Sequence, residues 1–248
     1  ALSEGRVLHY KSEFPSDKRC ILYIDTEQGR HHCQKVFNRI LRLANLPADI
    51  DPENLKLLAL RKYSPEERLA IVEYALDTIP NIGLVIIDGI RDFVYDINSP
   101  SEATRIISKL MQWTDDRQIH IHTILHQNKN DEHARGHIGT ELNNKAEAIM
   151  QVEVDKDDKS VSVVEAVHIR DKEFEPFAFR INEQALPELV ESYALKEKKV
   201  GRPKKDPFDP YRDISESTHR KALELTFANG DISGYDQVRE ALQAGYAN

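Results

Sequence analysis

The chain has 248 residues, of which 40% are hydrophobic and 31% charged, with a formal net charge of −8. Such a composition supports a sizeable core and excludes a polycation that coats nucleic acid along its whole length, so any DNA contact must come from a local patch. Two cysteines, Cys20 and Cys33, exclude a disulfide framework and fit a reducing cytoplasm; no apolar run approaches a membrane span and the start does not read as a signal peptide.

Ala1–Gly5 reads as the end of a helix with its stop glycine at Gly5, which implies sequence upstream. A short apolar run over 19–25, ending in acid, predicts a buried parallel strand. Between His31 and Ala44 the apolar positions Val36, Ile40, Leu41 and Leu43 recur at helical spacing, and Leu55–Leu60 predicts a second strand. Ser64-Pro65-Glu66-Glu67 then starts a helix, with Ser at the cap, Pro first and Glu closing the box, that runs to about Ile79. Ile82–Gly89 is the most apolar stretch of the chain; Ser101 opens a helix through Asp115, and Ile119–His126 is a further strand. Residues 130–144 are polar and contain Arg135, Gly136 and Gly139, which reads as a loop suited to contacting DNA. Ala146–Glu153 and Ser160–Val167 predict two more strands.

Strands alternating with helices indicate an α/β fold with a mostly parallel, doubly wound sheet, and the last strands, lacking helices between them, predict an antiparallel edge on it. The core is expected over 1–185, followed by a basic, Pro-containing linker over 186–212 and a partial helical DNA-binding module over 213–248. In that module Ser217–Phe227 and Tyr235–Ala244 predict two short helices around Asn229-Gly230-Asp231, like the first half of a helix-turn-helix. Within the linker, Gly201-Arg202-Pro203-Lys204-Lys205 resembles an AT-hook core, which would send Arg202, Lys204 and Lys205 toward an A·T minor groove. The competing reading of those residues is a solvated basic linker.

Several residues are candidates for chemistry. Asp88 ends the most apolar strand, and ligands of open parallel sheets bind beyond the carboxyl ends of their strands; a carboxylate there holds Mg²⁺ through water, or simply caps a turn with Gly89. Glu27 follows the first strand and, facing the same crevice, is placed to orient or deprotonate a water. His126 and Gln127 end a third strand and are placed to sense a γ-phosphate, with Lys129 just beyond for phosphate or DNA. Arg170 closes a later strand and is an arginine-finger candidate, or the partner of a surface acid. His31, His32 and Cys33 are adjacent on a helix and point to different faces, so a zinc site is not expected there.

Leu22-Tyr23-Ile24-Asp25-Thr26-Glu27-Gln28, Leu84-Val85-Ile86-Ile87-Asp88, and Thr123-Ile124-Leu125-His126-Gln127-Asn128-Lys129 with Arg135-Gly136-His137-Ile138-Gly139 resemble successive blocks of RecA-like ATPases. The similarity, over about residues 1–183, is to the replicative-helicase and plasmid RepA-like branch found on plasmids and transposon-like mobile elements. It implies a RecA-like, helicase-like ATPase acting on DNA in replication or mobilisation, with ATP and Mg²⁺ as cofactors and a ring-shaped homo-oligomer as the assembly. It further implies Glu27 as catalytic base, Asp88 as the Mg²⁺-holding Walker B acid, His126 or Gln127 as γ-phosphate sensor, and Arg170 with Lys172 as fingers acting on a neighbouring subunit. One departure stands out: nothing in the 248 residues matches G-x-x-x-x-G-K-[ST], the loop that cradles the phosphates, whose place in such a fold would precede residue 1. Without that loop this chain is expected to bind ATP weakly or not at all. The alternative function is a catalytically silent accessory or regulatory DNA-binding protein that keeps the ATPase fold as a scaffold.

Overall fold

The computed structural model describes residues 2, 6–8, 10–127, 136–191, 193, 209 and 213–247. They form two compact units, 1–193 and 194–248. A two-stranded antiparallel ribbon, β1 (Arg6–Val7) and β2 (Tyr10–Lys11), opens the first unit. The expected helix end at Ala1–Gly5 lies outside the described residues except for Leu2, which packs beside Ile21, Leu41 and Leu55.

The main sheet is built from β3 (Cys20–Asp25), β4 (Leu55–Ala59), β5 (Ile82–Asp88) and β6 (His120–Ile124), all parallel, in the order β4-β3-β5-β6. Between them run α1 (Arg30–Leu43), α2 (Pro65–Thr78) and α3 (Pro100–Arg117). Because side chains alternate along a strand, each strand feeds two cores. Leu22, Ile24, Val85 and Ile87 face the buried sides of α2 and α3, including Val72, Leu76, Ile106 and Trp113. Ile21, Leu55, Leu84 and Ile86 face α1 through Phe37, Ile40 and Leu41. Each fully buried aliphatic side chain contributes about 1.5–3 kcal/mol, so the double-sided burial of β3 and β5 makes them the rigid centre of the sheet.

The capping box at Ser64 is present in full: its hydroxyl accepts from Glu67 N at 3.3 Å, and Glu67 Oε2 accepts from Ser64 N at 2.8 Å. Helix α3 departs from expectation in starting at Pro100, with Ser99 and not Ser101 at its cap. Ser99-Pro100-Ser101-Glu102 repeats the Ser-Pro-x-Glu pattern of α2, and the Ser99 hydroxyl accepts from Glu102 N at 3.4 Å. The segment read as a polar loop is in part helical, with α4 spanning Gly136–Lys145. Ile138 is fully buried against the core and Leu142, one turn on, packs there too, which overrides the polarity of the rest. Gly136 adopts φ +72°, and a Cβ on it would lie 2.6 Å from Ile97 O.

The last strands also differ from expectation. β7 (Ala148–Val154), β8 (Val161–Ile169), β9 (Phe177–Ile181) and β10 (Pro187–Leu189) form their own four-stranded antiparallel sheet, in the order β10-β9-β8-β7, and not an edge on the parallel one. The reason is pairing: β7 spends its ladder on β8 along its whole length, and Val161, Val163 and Ala178 make a separate small core with Val190 and Tyr193. Strand β10 falls in the stretch read as linker, so ordered structure of the first unit extends beyond residue 185.

In the second unit, α5 (Glu216–Phe227) and α6 (Tyr235–Ala247) form a helical hairpin, with Ser215 capping the first. They approach through small residues: Ala222, Thr226 and Gly245 are buried, and Thr226 Oγ1 donates to Ala222 O at 2.7 Å. Among the described residues, no helix is long and apolar enough to cross a membrane.

Candidate functional site

Strands β3 and β5 are adjacent and parallel, with Asp25 in register with Asp88, so two carboxylates end neighbouring strands side by side at the carboxyl edge of the sheet. Asp25 is wholly buried. Its Oδ1 accepts two main-chain N–H groups from the following turn, Glu27 N at 3.0 Å and Gln28 N at 2.7 Å. Its Oδ2 has no hydrogen-bond partner among the described residues. Cys33, on the first turn of α1, is buried nearby; burial, then the Asp25 charge and a hydrogen bond between the two side chains, push its thiol up to about 11.

Thr26 ties this turn to the next strand. It is 1% exposed, and its N–H donates to Asp88 O at 3.1 Å. Its hydroxyl, with a single proton to give, sits 3.0 Å from Asp88 O, Gly89 O and Asp92 Oδ2. Gly89 makes the approach possible: its φ is +96°, and a Cβ there would lie 2.1 Å from Thr26 Oγ1 and 2.9 Å from Glu27 Cγ. The chain then enters a short 3-10 turn, Ile90–Phe93, whose Asp92 carbonyl accepts from Arg68 Nη1 at 2.5 Å.

Tyr23 lies on the same face of β3 as Asp25, and its hydroxyl donates to Asp88 Oδ2 at 2.8 Å. Burial, and then that hydrogen bond, raise the phenol far above its ordinary value, so Tyr23 remains a donor. Asp88 is therefore oriented through its Oδ2. Glu27 is half-buried at 33% side-chain exposure, and its Oε2 lies 3.5 Å from Nε2 of the more exposed His126 just past β6. Three successive strand ends thus converge on one edge, as the sequence predicts for Glu27, Asp88 and His126.

The other candidates fall elsewhere. Gln127 is exposed beside His126. Arg170 and Lys172 are exposed in the turn after β8, in the antiparallel sheet, where Arg170 N donates to Glu147 O at 3.0 Å. Among the described residues no hydrogen bond or ion pair joins them to Glu27 or Asp88. Lys129, Arg135, Arg202, Lys204 and Lys205 lie outside the described residues. His31 and His32 are exposed while Cys33 is buried, so the three do not converge.

Sequence reading missed Tyr23, Asp25 and Thr26. The signal for Asp25 was present, an acid inside the last position of an apolar strand, where burial of a charge demands a local use.

Among the described residues there is no group of three or more His, Cys, Asp or Glu arranged to hold a metal by protein ligands alone. One oriented carboxylate at a strand end does suit Mg²⁺, which keeps most of its waters and takes its remaining ligands from substrate phosphates. Asp88 fits that part. Comparison of the chain with protein-family models and with curated proteins finds no match.

Proposed function

We propose that this chain is the hydrolytic core of a RecA-like, helicase-like ATPase that works on DNA in the replication or mobilisation of a plasmid or transposon-like element. The observation that carries this reading is the register match of Asp25 with Asp88, which sets Glu27 and Asp88 on adjacent turns tied by Thr26, with His126 reaching Glu27 from the next strand. ATP with Mg²⁺, when bound, supplies the electrophilic phosphorus and neutralises phosphate charge. Asp88, its carboxylate aimed by the Tyr23 hydroxyl, is the residue that would hold the cation. Glu27 orients the attacking water and takes its proton, and His126 with Gln127 senses the γ-phosphate. Arg170 and Lys172, exposed and with no hydrogen bond or ion pair to Glu27 or Asp88 among the described residues, suit a role toward a neighbouring subunit in a homo-oligomeric ring.

The DNA contact belongs on Lys129, Arg135 and the Arg202–Lys205 segment and not on the helical hairpin. Between 213 and 247 the acids Asp213, Glu216, Glu224, Asp231, Asp236 and Glu240 outnumber the bases Arg220, Lys221 and Arg239. A surface of that sign repels phosphate.

The test is DNA-stimulated ATP hydrolysis by the full-length gene product beside its Glu27→Gln variant. Turnover in the parent and a loss of about 10²-fold or more in the variant is the expected result, in the range seen when a general base is removed. If neither protein hydrolyses ATP while both bind DNA, the fold is a scaffold and the accessory-protein reading takes its place.

A further inference from the structure

We infer that Asp25 is a positioning residue for the proposed base Glu27, acting through the main chain of the turn that carries it. The inference rests on the reading of Glu27 given above. Asp25 is fully buried, and a buried carboxylate is costly unless its oxygens are hydrogen-bonded. Here the strong donors fall on one oxygen: Oδ1 takes the N–H groups of Glu27 and Gln28, while Oδ2 has no geometric hydrogen-bond partner among the described residues. The weakly donating Cys33 thiol also interacts with the carboxylate. A half-satisfied buried acid is a poor stabiliser, because an apolar group of the same shape would serve the core as well or better. What Asp25 does supply is geometric. Two amides of one turn converge on a single oxygen, which fixes the path of the backbone at Glu27.

The neighbouring contacts extend the effect. Thr26, between the two anchored positions, locks the same turn to the Asp88–Gly89 backbone and to Asp92. The direction in which Glu27 leaves the main chain is thus referred to the strand end that bears Asp88. Among the described residues the Glu27 carboxylate has one polar side-chain partner, the mostly exposed His126 at 3.5 Å, so its polar contacts alone do not fix its direction. Displacement of a catalytic group by about 1 Å costs on the order of 10²-fold in rate, which sets the scale of the loss expected on releasing the turn.

The rival role is direct. Asp25 is in register with Asp88, and its carboxylate charge would be needed if it held the cation itself. Asparagine separates the two roles, since it keeps an acceptor oxygen for the two N–H groups and removes the charge. The experiment compares Asp25→Ala, Asp25→Asn and Glu27→Gln in the full-length protein by steady-state ATP hydrolysis with DNA present, and by hydrogen exchange at the Glu27 and Gln28 amides. Asp25→Ala is expected to lose about 10²-fold in kcat with KM little changed, and to lose protection at both amides. Asp25→Asn is expected to keep that protection and to recover most of kcat. Melting curves of the two variants identify any that fail to fold, and the asparagine variant keeps the shape of the site.

Wild-type turnover in Asp25→Ala overturns the inference, and so does an asparagine variant as inactive as the alanine one while its amides stay protected. The second outcome assigns Asp25 to the cation. Failure of the underlying reading looks different: the parent protein does not hydrolyse ATP, or Glu27→Gln is as active as the parent. Either result removes the base that Asp25 would position and takes this inference with it.

Discussion

Replacement of Gly89 by alanine tests the coupling of the two strand ends. Gly89 has φ +96°, and an L-residue in the left-handed region costs about 1–2 kcal/mol. The new Cβ would also stand 2.1 Å from Thr26 Oγ1 and 2.9 Å from Glu27 Cγ. Carbon contacts prefer about 3.5–4.0 Å, so one side must move. Thr26 is 1% exposed and has no solvent to swing into. Its displacement leaves a buried hydroxyl or its acceptors short of a partner, at about 1–3 kcal/mol. The two effects together predict a loss of roughly 2–5 kcal/mol, a large share of a typical domain stability of about 5–15 kcal/mol. Urea unfolding followed by fluorescence reads this well, because the single tryptophan, Trp113, is 6% exposed in the core of the first unit. A double-mutant cycle isolates the collision. With Thr26→Ala already in place, Gly89→Ala should cost about 1–2 kcal/mol less than it does alone. A Gly89→Ala loss under about 0.5 kcal/mol, or strict additivity in the cycle, would refute the proposed contact.

The Cys33 thiol and the helix caps give two further predictions. Because the folded state raises the Cys33 thiol from 9.0 to about 11, the fold favours its protonated form. That contribution is fully present below pH 9 and is lost as pH rises toward about 11. A two-unit shift of a buried group corresponds to roughly 2–3 kcal/mol, so urea midpoints should fall across that window, and Cys33→Ala should flatten the fall. Cap substitution Ser64→Ala should cost about 1 kcal/mol in urea unfolding. At α3 the corresponding acid, Glu102, accepts from Tyr95 N at 2.7 Å. Glu102→Ala should therefore loosen the loop before α3, read as faster exchange at the Tyr95 amide, whereas Glu67→Ala should act on the start of α2.

The elements that could be read from the sequence are those whose signal is local. Apolar runs ending in acid mark β3 and β5, and the Ser-Pro-x-Glu pattern marks the start of α2, all within a few residues. The same pattern was there to place α3 at Ser99, but Ser101 also suits a cap, and only the hydrogen bond to Glu102 N decides between them. Helix α4 was hidden because two apolar residues, Ile138 and Leu142, outweigh eight positions of polar or small character once the core is there to receive them. Separation of the antiparallel strands into their own sheet was hidden for a different reason. Strand type is written in alternation along one segment, whereas choice of partner depends on residues far apart, such as Met150 against Ala166 and Val164 against Phe177.

The candidate site divides along the same line. Glu27, Asp88 and His126 are legible because each lies at or within two residues of the end of its own strand, and parallel strands in one sheet end on one side. What sequence could not supply is the register, and the register decides which acid has which task. Because Asp25 is level with Asp88, the turn bearing Glu27 starts one residue beyond the Asp88 plane, and Thr26 falls where it can meet the Asp88 and Gly89 carbonyls. A slip of one residue between β3 and β5 would turn Tyr23 and Asp25 to the opposite face, where Leu22 and Ile24 now pack. Such a slip would set two polar side chains against α2 and α3 and move two aliphatic ones to the α1 face, away from the partners they now pack against. The division of β3 between two faces that builds the core is therefore also what aims Tyr23 at Asp88 and sets Asp25 to receive the Glu27 N–H. It follows that a variant that preserves hydrophobicity but exchanges the two faces, with Leu22 and Tyr23 swapped, should lose the Asp88 hydrogen bond and core packing together.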